Sequence, residues 1–208
     1  MVFSAPTNPV AEIHPDLNLG MRGYTPTIST LGLIDLSGPP SDLAAPQLAN
    51  LFFDKRVPVF KQVYQVYDWD WVHNVRGQLM TNWDVTLAGV GVAPGEPICA
   101  PASGYNIGRA PTGYAMMVLY ASSNRITLKY TREDNVVSGY TIHIENINVD
   151  LGLLALYQTM NSAGRSSLPA LFAGQPIGRA ITTELQFAIR DTGEFMDPRS
   201  RKDWWQGR

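Results

Sequence analysis

The chain is poor in the residues that usually announce chemistry. Of its 208 residues one is cysteine, three are histidine, and only 16% are charged. The single cysteine, Cys99, excludes an intrachain disulfide. It lies in the apolar run Pro97-Ile98-Cys99-Ala100, where a buried structural thiol is expected rather than a nucleophile. His14, His73 and His143 are widely spaced, whereas a zinc enzyme needs about three convergent protein ligands. No stretch approaches the roughly 20 apolar residues that cross a bilayer, so no membrane span is expected. The formal net charge of −2 supplies no basic face for DNA, RNA or an anionic membrane. Residues 1–16 lack the basic start and apolar segment of a signal peptide. An extracellular or cell-envelope location is therefore expected only if an export signal has been removed. The phosphate-binding loop, the dinucleotide fingerprint, the G-x-S-x-G elbow, H-E-x-x-H and C-x-x-C are all missing. No cofactor is expected.

What remains is strand-forming sequence. Apolar residues make up 45% of the chain, enough for one substantial core. Residues 1–57 are broken by proline and glycine into short pieces and read as an extended arm. Within the arm a short helix is expected from Ala45 to Phe53, capped by Ser41 or Asp42, with Leu48, Leu51 and Phe52 on one face. Residues 58–208 read as a β domain. Val59–Tyr67 is rich in β-branched and aromatic residues, and strands follow at Val85–Val92, Glu96–Ala100, Tyr114–Ala121, Arg125–Thr131 and Tyr140–Ile147. Ser122-Ser123-Asn124 is a hairpin turn. Asp150 caps a helix over Leu151–Ala163, closed by Gly164 and inserted at about 150–164. Its apolar residues lie nearly all round, which predicts a helix sandwiched between the sheet and a second layer. Near the C-terminus Gly174 and Gly178 flank a tight corner, and Leu185, Phe187 and Ile189 alternate with polar residues along a strand.

Gly95-Glu96-Pro97-Ile98-Cys99-Ala100-Pro101-Ala102-Ser103-Gly104 resembles the G-x-P-I-x-A-P-x-x-G strand-turn of the lysostaphin-like zinc endopeptidases. Val137-Ser138-Gly139-Tyr140-Thr141-Ile142, Gly174–Gly178, Glu184–Arg190, Gly193 and Asp197-Pro198 resemble further segments of that family. The resemblance covers roughly residues 85–198. It implies a mainly β, single-domain antiparallel barrel or sandwich of duplicated-hybrid-motif type. It also implies a zinc set that this chain has not kept. The closing histidine-x-histidine is matched by Glu184 and Gln186, and the upstream histidine and aspartate by about Val85 and Gly89. The last catalytic histidine is matched by Arg132 or, in a second alignment, by His143. No metal site is expected.

Three other constellations carry possible chemistry. Tyr64, Tyr67, Asp68, Trp69, Asp70, Trp71, His73 and Asn74 combine flat rings with carboxylates, as a carbohydrate groove does, although one tryptophan of such a pair is ordinarily core. Thr141, His143 and Glu145 alternate on one strand face as an acid–base pair or a surface hydrogen-bonded pair. Arg190, Asp191, Asp197, Arg199, Arg201, Lys202 and Asp203 read as a solvated tail before Trp204-Trp205, which dock on the barrel or on a neighbouring subunit. A glycosidase would need two facing carboxylates, for which Glu133, Asp134, Glu145 and Glu184 are available.

The leading expectation is a non-catalytic glycan-binding or cell-envelope structural module. Asp68, Trp69, Asp70, Trp71, Arg132, Glu184 and Gln186 would contact a glycan or cell-wall polymer. The alternatives are a hydrolase acting on peptidoglycan or polysaccharide through His143, Glu145 and Glu184, and a subunit that self-assembles through its arm and Trp204/Trp205.

Overall fold

The structure is a computed structural model and describes residues 2, 10–40, 42–108 and 113–207. After a four-residue helix, α1 (Leu19–Arg22), come β1 (Tyr24–Thr27), β2 (Phe60–Asp70), β3 (Val75–Leu79), β4 (Leu87–Gly91) and β5 (Pro97–Cys99). A hairpin of β6 (Met116–Ala121) and β7 (Arg125–Lys129) follows, then β8 (Tyr140–Glu145) and β9 (Ile147–Val149). Helix α2 (Leu151–Ser162) precedes β10 (Ala170–Leu171), β11 (Pro176–Ala180), β12 (Glu184–Asp191), β13 (Glu194–Met196) and α3 (Arg201–Trp204).

The fold is mainly β, antiparallel and built as one domain. Ten strands form a large sheet along the path β1-β2-β4-β12-β8-β7-β6-β10, with β3 on β2 and β13 on β12; β5, β11 and β9 form a smaller second sheet. Neither sheet closes on itself, so the arrangement is an open two-sheet packing and not a barrel. At the centre, β12 pairs with β4 on one side and β8 on the other. Its alternation splits two faces. Leu185, Phe187 and Ile189 enter the main core with Ile142, Ile144, Ile126 and Leu128, and meet Ile98, Ile147, Val149 and Ile177 of the small sheet. Ala188 faces the other way, into a smaller cluster with Leu19, Tyr64, Val66, Leu87 and Phe195.

Several local expectations change in the tertiary setting. The segment expected to be a helix over Ala45–Phe53 forms only a 3-10 turn at Leu48–Leu51, although Leu48, Leu51 and Phe52 are all buried. Asp42 does not cap it; its carboxylate accepts from the Ala44 amide instead. Ser41 lies outside the described residues. Asp150 does cap α2, accepting from Leu153 N at 2.9 Å. That helix is not sandwiched: Leu153 and Tyr157 are buried while Leu151 and Leu156 are exposed, so a single face packs on the sheet. The C-terminal tail is solvated only in part: Arg201 is exposed and ion-paired with Asp35 as expected, but much of the rest is covered. Arg190, Asp197, Arg199 and Asp203 are buried, and Asp197 holds Arg199 through both carboxylate oxygens at 2.9 and 2.6 Å. Trp204 and Trp205 dock within the chain, and their indoles donate to the Asp197 and Pro198 carbonyls. Cys99 is buried, as its apolar run predicts, and burial pushes its thiol pKa up.

Candidate functional site

The second face of the large sheet carries most of the candidate polar residues, and strand register sorts them into rows. Gln186, Glu145 and Arg125 form one row, Ala188, His143 and Thr127 the next, and Arg190, Thr141 and Lys129 the last. The arm lies across all three. Asn18 accepts from Arg125 at 2.7 Å, the Leu17 carbonyl accepts from the Thr127 hydroxyl at 2.6 Å, and Asp16 pairs with Arg190 at 2.8 Å. Leu17 and Leu19 of the arm are fully buried.

This cover decides the chemistry of His143 and Glu145. His143 is wholly buried and stacks on Phe195 with ring centroids 5.8 Å apart. The Thr127 hydroxyl has one proton, which goes to the Leu17 carbonyl, so His143 Nδ1 must donate to Thr127 Oγ1 at 3.0 Å. Nε2 therefore carries the lone pair, and among the described residues it has no hydrogen-bond partner. Burial, reinforced by the Arg190 guanidinium, holds the imidazole pKa well below its ordinary value. Glu145 is also buried; desolvation pushes its carboxyl up to about 7 and Arg125, 3.3 Å away, only partly offsets that. Both are covered by the arm and neither is exposed as a surface pair would be.

At the edge of the same face a closed network surrounds Glu184. Tyr64 Oη donates to Glu184 Oε1 at 2.6 Å, Gln186 Nε2 donates to Glu184 Oε1 and Tyr64 Oη at 2.9 Å each, and Tyr24 Oη donates to Gln186 Oε1 at 2.6 Å. Burial and the Glu184 contact push the Tyr64 hydroxyl up to about 12. Gln186 pairs with Gly89 across the β4–β12 register, and the Glu184 carboxylate fills the space a Cβ at Gly89 would need. Val85 is buried and offers no ligand atom. Among the described residues no three His, Cys, Asp or Glu side chains converge as a metal-binding group.

Arg132 does not join Glu184 and Gln186. It follows the Lys129 end of β7, whereas Gln186 aligns with Arg125 at the opposite end. Arg132 instead lines a separate cavity with Tyr114 and Met117. Of the remaining glycosidase candidates, Asp134 is locked in a buried bidentate pair with Arg165 at 2.8 and 2.6 Å.

The exposed candidates gather where β2 turns into β3. Asp70 accepts from the Val72 and His73 amides and pairs with His73 at 2.7 Å, fixing the hairpin tip. Trp69 is buried, donates to Asn74 and offers no free ring face. Trp71 is 54% exposed, with its ring 5.8 Å from that of His14. Trp71 and Asp68 stand at a cleft of about 320 Å³. Its floor is an ion-paired group absent from the sequence-based candidates except for Arg190. Arg22 donates to Asp16 at 2.8 Å and to Asp68 at 3.2 Å, and Arg190 donates to Asp16 at 2.8 Å. Both guanidiniums stack on Phe195, at 5.7 and 4.5 Å. Burial alone would raise the Asp16 carboxyl, but the Arg190 and Arg22 guanidiniums overcome it and hold it at about 2. Arg190 could be found by its alternation in β12; Asp16 and Arg22, in an arm without periodicity, carry no such signal.

Set against protein-family models and against curated proteins, the chain matches none.

Proposed function

We propose that the chain is a non-catalytic glycan- or cell-envelope-binding module on a scaffold related to the lysostaphin-like peptidases. The observation that carries the reading is the half-exposed Trp71 indole beside the exposed Asp68 carboxylate, over a floor of charges already fixed by their own pairs. A flat apolar ring stacks on the C–H face of a sugar, and preset acceptors and donors take its hydroxyls. The scaffold part is supported by how the resembling segments meet: Pro97–Cys99 pairs with β11, and β12 pairs with β4 and β8. At the positions where the family holds its metal, Glu184 Oε1 is engaged by Tyr64 and Gln186 and fills the room above Gly89. The hydrolase alternative loses His143 and Glu145 to burial beneath the arm.

Co-sedimentation with insoluble peptidoglycan and with cellulose tests the reading. Retention on at least one glycan without release of soluble fragments is expected. Trp71→Ala should weaken retention by about tenfold, the effect of losing roughly 1.4 kcal/mol of stacking. Protein that stays in solution with every glycan sinks the proposal, and soluble fragments would restore the hydrolase alternative.

A further inference from the structure

The cleft beside Trp71 continues past Met80. A second cavity, of about 580 Å³, is lined by β3 and the residues that follow it, and Asp68, Met80 and Glu194 line both cavities. It also carries the neutral hydrogen-bonding side chains Gln78, Thr81 and Asn82. We propose that the two cavities are one groove and that its ligand is an extended, uncharged oligosaccharide spanning several consecutive sugar units. This rests on the glycan reading above and specifies the ligand class of that same site.

Three features support a chain over a single sugar. The β3 residues that line the second cavity, Arg76 to Leu79, run for roughly 13 Å at about 3.3 Å per residue, longer than one ring needs. Trp71 lines only the first cavity, Met80 lines both, and Gln78, Thr81 and Asn82 line only the second. These would serve ring faces and hydroxyl groups at separate points along a polymer. The charges of the walls are largely paired among themselves, Asp16 and Asp68 with Arg22 and Asp16 with Arg190, while Asp70 is hydrogen-bonded within its own turn. Arg76 lies over the Tyr67 ring at 5.3 Å and donates to the Met21 carbonyl. Walls of this kind suit hydroxyl and acetamido groups, and the exposed Glu194 carboxylate opposes a polyanionic chain.

Calorimetric titration of the full chain separates the possibilities. The probes are N-acetylglucosamine and glucose, their β-1,4-linked tetramers, and tetragalacturonate. In at least one neutral series the tetramer should bind about tenfold tighter than the monomer, and tetragalacturonate should bind more weakly than that tetramer. Gln78→Ala, at an exposed strand position, should weaken the tetramer about fivefold and leave the monomer unchanged, while Trp71→Ala weakens both. Equal affinity for monomer and tetramer, or a tetramer indifferent to Gln78→Ala, overturns the extended groove and leaves the glycan reading standing. Tetragalacturonate binding as tightly as the neutral tetramer overturns the uncharged class. No heat from any saccharide, with the protein folded by circular dichroism, overturns the glycan reading itself and this inference with it.

Discussion

Glu145 and Asp16 are pulled in opposite directions by the same covered face. Burial raises Glu145 from 4.5 to about 7, so the folded chain keeps a proton that the unfolded chain releases earlier. The cost of ionising it is absent below about pH 4.5 and builds as pH rises toward 7, reaching on the order of 3 kcal/mol. Asp16, held at about 2 against an ordinary 3.8, stabilises the fold above that ordinary value and loses its contribution as pH falls toward 2. The buried neutral His143 contributes the opposite slope up to its ordinary pKa, so the test is the difference between the parent and Glu145→Gln. Urea denaturation at pH 5, 6 and 8 should find Glu145→Gln gaining stability relative to the parent as pH rises, and more stable than it at pH 8. A difference that stays constant between pH 5 and 8 would contradict the burial argument. Sequence spacing does place His143 and Glu145 on one strand face. Whether that face met water or the arm depended on Asn18, 107 residues from its partner Arg125.

At the scale of elements, local rules read well where the cause is local. Strand alternation, the Asp150 cap and the Ser122–Asn124 hairpin follow from neighbouring residues and stand in the structure. The corner at Gly174–Gly178 mixes two causes. Gly174 has φ +74, a left-handed backbone that glycine accepts. Gly178 lacks a positive φ and is small for a different reason: a Cβ there would press into the Asn148 carbonyl and the Ile147 side chain of β9. Gly178→Ala is expected to cost about 1–3 kcal/mol, as an overpacked site does. Hydrogen exchange should quicken in β5, β9 and β11 while β12 stays protected; uniform loss of protection would mean the small sheet does not open by itself. The α2 helix forms as expected, but its sandwiching does not, because a run of leucines reports hydrophobicity and not how many layers are present to bury it.

For the molecule as a whole, the fate of its tryptophans is informative. Trp204 packs edge-on to Tyr140, and Trp205 meets Phe60 and Phe187 of the large sheet. These contacts use within one chain the rings that a self-assembling subunit would present to its neighbour. Trp204→Ala should cost about 3–5 kcal/mol, with a denaturation midpoint independent of protein concentration. A midpoint that climbs with concentration would return Trp204 to a subunit interface. Trp71, by contrast, is left outside at the hairpin tip.

Composition and alternation by themselves determined a mainly β chain with one long helix and a buried cysteine, because such signals arise between residues two to four apart. They also assembled a plausible cluster at Asp68–Trp71. Only the tertiary structure decided that Trp69 turns inward and Trp71 outward, that Arg132 leaves the Glu184 neighbourhood, and that Asp16 and Arg22 build the cleft floor. The reason is distance along the chain. Whether a polar side chain is covered, paired or open depends on which remote segment lands on it, and the closing of the arm over the sheet joins residues more than 100 positions apart.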